Sequence, residues 1–192
     1  MIRRLLLVSL LVLSCSAPED PTSEDWARIS QLEQNWRALS GEQRLEARQR
    51  WIDELRLFVE SHPDHAIAAT RFDDEQTEFA IQLAANGRYL EAVRHFQSVL
   101  ERKPSHQAAR RGLENARRFA ERDDAMFDSL RAGDSQETVS EKVGLPRSGW
   151  TRRVADTELW YYELTDGRTI ALRFVNGSYR SREIVDRAAA EN

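Results

Sequence analysis

The stretch AIQLAANGRYLEAVRHFQSVLERKP, Ala80 to Pro104, decides how most of this chain folds. Ala80 and Leu83 before Gly87, and Tyr89, Ala92, Phe96, Val99 and Leu100 after it, recur at three- and four-residue steps. That is the period of helices with one apolar face each. Gly87 supplies the turn between them, and Pro104 ends the second helix because it has no N–H to donate and its ring clashes with the preceding turn. Small Ala80 and Ala92 let the two helices approach closely, while Tyr89 and Phe96 fill the seam.

The same grammar extends in both directions. Upstream, a helix over 64–86 carries Ile67, Phe72, Phe79 and Leu83. Before it, Leu45, Trp51, Ile52, Leu55, Phe58 and Val59 form the apolar side of a helix stopped by Pro63, with Ser40 and Gln43 spaced as a capping box. Trp26, Ile29, Leu32, Trp36 and Leu39 mark a first helix from Ser23, paired with the second as an antiparallel hairpin. Downstream, Ser105 opens a further helix to Arg122. The spacing over 73–106 resembles a tetratricopeptide repeat, and the hairpin ending at His62-Pro63 is a degenerate copy of it. The resemblance implies an inner groove lined by Asp74, Thr77 and Ile81, then by Arg111, Asn115 and Arg118. Arginine and asparagine one turn apart suit a peptide carboxylate; the other reading of these positions is a solvated basic face.

Past Asp123-Asp124 the pattern changes. Phe127 to Leu130 predicts a short helix, Gly133 a turn, and Val139 and Val143 a second helix capped by Asp134 or Ser135 and ended by Gly144 and Pro146. Three β segments follow: 157–164, 168–175 with Ile170, Leu172 and Phe174 facing inward, and 178–185. The dipeptides Asp166-Gly167 and Asn176-Gly177 make the turns between them. Leu130, Gly133, Val139, Gly144, Pro146, the Trp160-Tyr161-Tyr162 strand, Phe174 and Gly177 resemble the SmpA/OmlA family of small lipoproteins, which includes BamE. The likeness covers Phe127 to Val185 and implies two helices on a three-stranded meander, with a part in assembling outer-membrane β-barrels. The expected fold is therefore α+β, an N-terminal antiparallel helical region (23–122) followed by a small two-helix, three-stranded antiparallel sheet domain (125–185) and a tail (186–192).

The N-terminus bears on location. Arg3 and Arg4 precede an apolar run, Leu5 to Leu13, that is shorter than the ~20 residues needed to cross a bilayer. The run ends Val12-Leu13-Ser14-Cys15, which resembles the bacterial lipobox, and Cys15 is the single cysteine of the 192 residues. These features predict a signal peptide (1–14), acylation of Cys15, and a short tether (15–22) that keeps the first helix near the membrane. Ser16 stands where an aspartate would mark inner-membrane retention in some bacteria, so the expected place is the outer membrane, facing the periplasm. An acylated Cys15 leaves no thiol for disulfides, metals or nucleophilic chemistry.

Chemistry is sparse. Without Arg3 and Arg4 the chain has 26 basic residues against 32 acidic, a net charge of −6, which argues against nucleic acid. No phosphate-cradling glycine loop, zinc-protease helix or serine elbow occurs, so neither cofactor nor metal is expected. His62-Pro-Asp64-His65 could be drawn as a metal half-site, yet it lies at a helix junction where capping accounts for it. Trp150, beside Arg147, Arg152 and Arg153 on the expected loop before the sheet, suits lipid headgroups or an acidic partner surface; the alternative is a ring tucked onto the sheet. The expectation is a binding module rather than an enzyme, an adaptor for protein partners in envelope assembly. The second expectation is an inhibitory or regulatory binder of an envelope enzyme.

Overall fold

A computed structural model describes residues 21–186 together with Ala188. The expected signal peptide, Cys15, most of the tether and most of the tail lie outside the described residues. Five α-helices come first: α1 (Pro21–Arg37), α2 (Gly41–Ser61), α3 (Ala66–Ala85), α4 (Tyr89–Arg102) and α5 (Gln107–Ala120). A 3₁₀ helix (Asp124–Ser129) and α6 (Gln136–Val143) lead into four strands: β1 (Thr151–Val154), β2 (Thr157–Glu163), β3 (Thr169–Val175) and β4 (Ser178–Val185). The protein is thus mixed helix and sheet, with all four strands antiparallel in the order β1-β2-β3-β4.

Each of the first five helices packs on the next, and α3 also touches α5. Their shared core holds Ile29, Trp36, Trp51, Leu55, Phe79 and Phe96, all at most 2% exposed. Burying each such side chain stabilises by roughly 1.5–3 kcal/mol, so this seam outweighs the many surface ion pairs, which are worth about 0–1 kcal/mol each. The Trp51 indole N–H finds the Ile29 carbonyl at 3.0 Å, so the ring is buried without leaving its donor unpaired. A further pair is deeply placed: Arg48 reaches Glu75 at 2.8 Å and Gln82 at 2.9 Å, tying α2 to α3.

The sheet has its own core. Trp160, Tyr162 and Leu164 from the β2 side, and Ile170, Leu172 and Phe174 from β3, point to one face, where Phe127, Val139 and Val143 cover them. Ser135 caps α6, accepting from the Thr138 amide at 3.1 Å, and Gly144 ends it at φ +81°. Between β3 and β4, Asn176 (φ +50°) and Gly177 (φ +76°) both adopt the left-handed conformation that a tight primed turn requires.

Several expectations are corrected. The sheet has four strands rather than three: Thr151–Val154, expected as loop, pairs with β2 from Thr151↔Trp160 to Val154↔Thr157. Ser40 makes no side-chain cap, so the capping box is not formed. The helix expected at Ser105 starts at Gln107, with His106 accepting from the Ala109 amide at 3.2 Å. The short helix expected over Phe127 to Leu130 is a 3₁₀ helix set earlier, at Asp124–Ser129. Leu39 falls past the end of α1 and Ile67 is 72% exposed, so neither joins the apolar stripes.

One group on the α3–α4 seam makes stability depend on pH. His95 packs edge-on against Phe79 and lies 3.3 Å from the Gln76 side-chain nitrogen; burial pushes its pKa below the ordinary histidine value. The unfolded chain therefore binds this proton more readily than the native one, and protonation favours unfolding. Stability contributed here is present above pH ~6.5 and is lost as pH falls toward the native pKa, at no more than about 1.4 kcal/mol per pH unit. Urea melts across that range should show this slope, and His95→Gln should flatten it.

Candidate functional site

The helical region and the sheet region meet at one junction, built from the α3–α4 turn, the end of α5 and the segment 144–150 that links α6 to β1. Gly87 in the turn has φ +71°, and a Cβ placed there would lie 2.3 Å from the Pro146 carbonyl oxygen. The amide of Ser148 donates to the Asn86 carbonyl at 3.0 Å, and the Leu145 amide donates to the Tyr89 hydroxyl at 2.8 Å. From the sheet side, the Tyr162 hydroxyl donates to the Gly144 carbonyl at 3.0 Å.

Arg122, just after α5, stands at the centre of this junction. Its Nε donates to the Val143 carbonyl at 3.0 Å and its Nη2 to the Leu145 carbonyl at 3.1 Å. The guanidinium lies 5.0 Å from the Tyr89 ring and 5.1 Å from the Tyr162 ring, one tyrosine from each region. Its own carbonyl accepts the Thr165 amide at 2.9 Å. Burial pushes the Arg122 pKa down, opposed only by the two phenols, and no carboxylate of the described residues pairs with it. Burial likewise pushes the Tyr162 hydroxyl far above its ordinary value, so it stays a neutral donor.

Beside this arginine opens a cleft of about 680 Å³. Tyr89, Phe119, Trp150 and Tyr161 supply aromatic wall, and Leu90, 50% exposed, lies along it. The charged groups lining it are Arg88, Arg94, Arg122 and Arg147 against Glu91, Glu121 and Glu163. Arg88 and Glu91 satisfy each other through a two-pronged ion pair that holds the Glu91 carboxyl below its ordinary pKa. Arg94 and Arg147 are exposed, and the Arg147 charge also helps hold the Glu91 carboxyl down.

Of the expected site residues, Trp150 lines this cleft, together with Arg147 of the same loop. Trp150 is half-buried and packs with Tyr161 and Ala171 on the outer face of the sheet. Arg152 and Arg153 sit on β1, exposed, and Arg153 pairs with Glu158 rather than standing open in a loop. Arg111, Asn115 and Arg118 are exposed on α5, with the Arg118 guanidinium 5.2 Å from the Phe119 ring. The groove partners expected on α3 diverge: Ile81 is exposed, Asp74 faces His106 at 3.5 Å, but Thr77 is buried with its hydroxyl on the Asp73 carbonyl. Thr77 therefore lines no open groove. His65 caps α3 through the Ala68 amide, and His62 stacks on Phe58 at 4.4 Å. Among the described residues no group of three His, Cys, Asp or Glu is placed to hold a metal ion, and no helix is long and apolar enough to cross a membrane.

No protein-family model, characterised protein or solved structure matches this chain. The junction is consequently defined by its own geometry. Two substitutions probe it. Gly87→Ala forces a left-handed alanine against the Pro146 backbone and should cost more than about 2 kcal/mol, lowering the melting temperature by about 4–8 °C. Arg122→Leu leaves the Val143 and Leu145 carbonyls without their donors and should cost about 2–4 kcal/mol. Calorimetric melting of both variants beside the parent chain checks these values.

Proposed function

We propose that this chain is a lipid-anchored periplasmic adaptor that binds a protein partner in outer-membrane or envelope assembly, with the junction cleft as its contact site. The observation that carries the reading is the cleft itself: neither region forms it alone, and it combines exposed arginines with aromatic wall. Such a mixture is what protein-recognition surfaces favour, since aromatic rings and arginine carry most interface energy. Anchoring rests on the N-terminal signature, in which a basic and apolar leader ends at the single cysteine, Cys15. Acyl chains there contribute ~0.8 kcal/mol per buried methylene, enough for stable attachment when more than one chain is present.

The helical region acts in this reading as a tetratricopeptide-like spacer, supported by the helix–Gly87–helix spacing and the sequential packing of α3, α4 and α5. The sheet region acts as the SmpA/OmlA-like part. The partner-binding surface is placed at the cleft, with Trp150; Arg111, Asn115, Arg118, Arg152 and Arg153 stay exposed outside it.

The test is capture of the tagged protein from detergent-solubilised membranes, read by mass spectrometry. One or more envelope assembly proteins in stoichiometric yield are expected from the parent chain. Cys15→Ala should give either processed soluble protein or an uncleaved precursor. Processed, membrane-bound Cys15→Ala protein would sink the anchoring claim, and capture without any stoichiometric partner would sink the adaptor claim.

A further inference from the structure

We infer that the junction cleft recognises a carboxylate on an extended peptide, an Asp or Glu side chain flanked by aromatic or aliphatic residues, with Arg122 at its base and Arg94 and Arg147 at its rim. The inference rests on the adaptor reading and names the chemistry of the partner segment. Arg122 is only partly exposed at the base of the cleft, where an incoming carboxylate is screened less than in bulk water. Arg122 has one fork satisfied by the Val143 and Leu145 carbonyls, which are neutral, and no carboxylate of the described residues offsets its charge. Its remaining donors suit two coplanar oxygens, the geometry in which arginine binds carboxylate by charge-assisted bonds. Arg94 and Arg147, both exposed, add attraction from the cleft mouth.

The walls specify the neighbours of that carboxylate. Phe119, Trp150 and Tyr161, together with half-exposed Leu90, offer apolar surface on which a flanking side chain is desolvated. A cleft of about 680 Å³ takes a few residues of extended chain, within the range of ordinary ligand sites. A peptide is favoured over an anionic membrane surface for an electrostatic reason. Three carboxylates, Glu91, Glu121 and Glu163, line the same cleft, and the chain without its first fourteen residues carries a net charge of −6, so an extended field of phosphates meets more repulsion than a single carboxylate does.

Peptide selection tests this without first isolating the partner. The full chain in detergent is used to select from a displayed library of random heptapeptides. Enrichment of Asp or Glu next to aromatic or aliphatic residues is expected. Resynthesised peptides should weaken at least tenfold when that acid becomes Gln or Asn, and the double reversal Arg94→Glu with Arg147→Glu should abolish selection while the melting temperature stays unchanged. Selected peptides without an acid, indifference to the amide replacement, or binding that survives the double reversal would each overturn the inference. So would failure to select any peptide while the chain binds phosphatidylglycerol vesicles, which would assign the cleft to lipid. A stoichiometric partner captured equally by the double reversal removes the carboxylate inference and leaves the adaptor reading standing. Acid-dependent peptide binding without any captured partner does the reverse.

Discussion

Arg122 holds together what would otherwise be two neighbouring folds. Its guanidinium donates to the carbonyls of Val143, the last residue of α6, and of Leu145 just beyond it, and lies near one tyrosine ring from the helical region and one from the sheet. Its backbone carbonyl accepts Thr165 beyond the end of β2. A single residue thus bonds to α6 and the β2–β3 connection while packing near the Tyr89 ring of α4. Arginine suits the position because its planar fork meets two carbonyls at once while its faces remain available to aromatic rings; a lysine has neither property.

Around this point the polar accounting is unusually direct. The 144–150 segment has no regular structure, so its amides and carbonyls need partners from elsewhere. Leu145 donates to the Tyr89 hydroxyl, Ser148 to the Asn86 carbonyl, and Gly144 receives the Tyr162 hydroxyl. Apolar packing does the rest of the holding: the Tyr89 and Phe119 rings are 5.2 Å apart, and Phe119 lies against Gly144. The cleft is the space that this irregular docking leaves open beside the more regular helix and sheet cores.

Much of the architecture is written in local pattern. The helices around Gly87 and the strands flanking Asn176-Gly177 follow from periodicity and turn chemistry, because their buried faces demand apolar residues at fixed intervals. β1 escapes that logic. Its four residues, Thr151-Arg-Arg-Val154, are all exposed, so no alternation marks them, and pairing with β2 alone makes them a strand. Its turn is equally hidden, since Ala155 takes φ +56° without a glycine to announce it. Arg152 and Arg153 are better understood as the charges that keep a sheet edge from recruiting other strands. Thr77 shows the opposite failure: a position assigned to a groove by analogy is buried, with its hydroxyl turned back on its own helix. Arg122 gave no signal at all, standing in the charged run Glu121-Arg-Asp-Asp124 that looks like a linker.

The close approach of Gly87 to Pro146 bears on how such a chain could have arisen. A turn glycine inside a helical hairpin ordinarily serves that hairpin, which leaves the motif portable between proteins. Here the space without a side chain is occupied by backbone lying nearly sixty residues further along, so the hairpin has become committed to one neighbour. Exchange of either region for a foreign equivalent would leave the other with an ill-fitting seam. The two regions are therefore fitted to each other, even though composition and pattern divide the chain cleanly at Asp123.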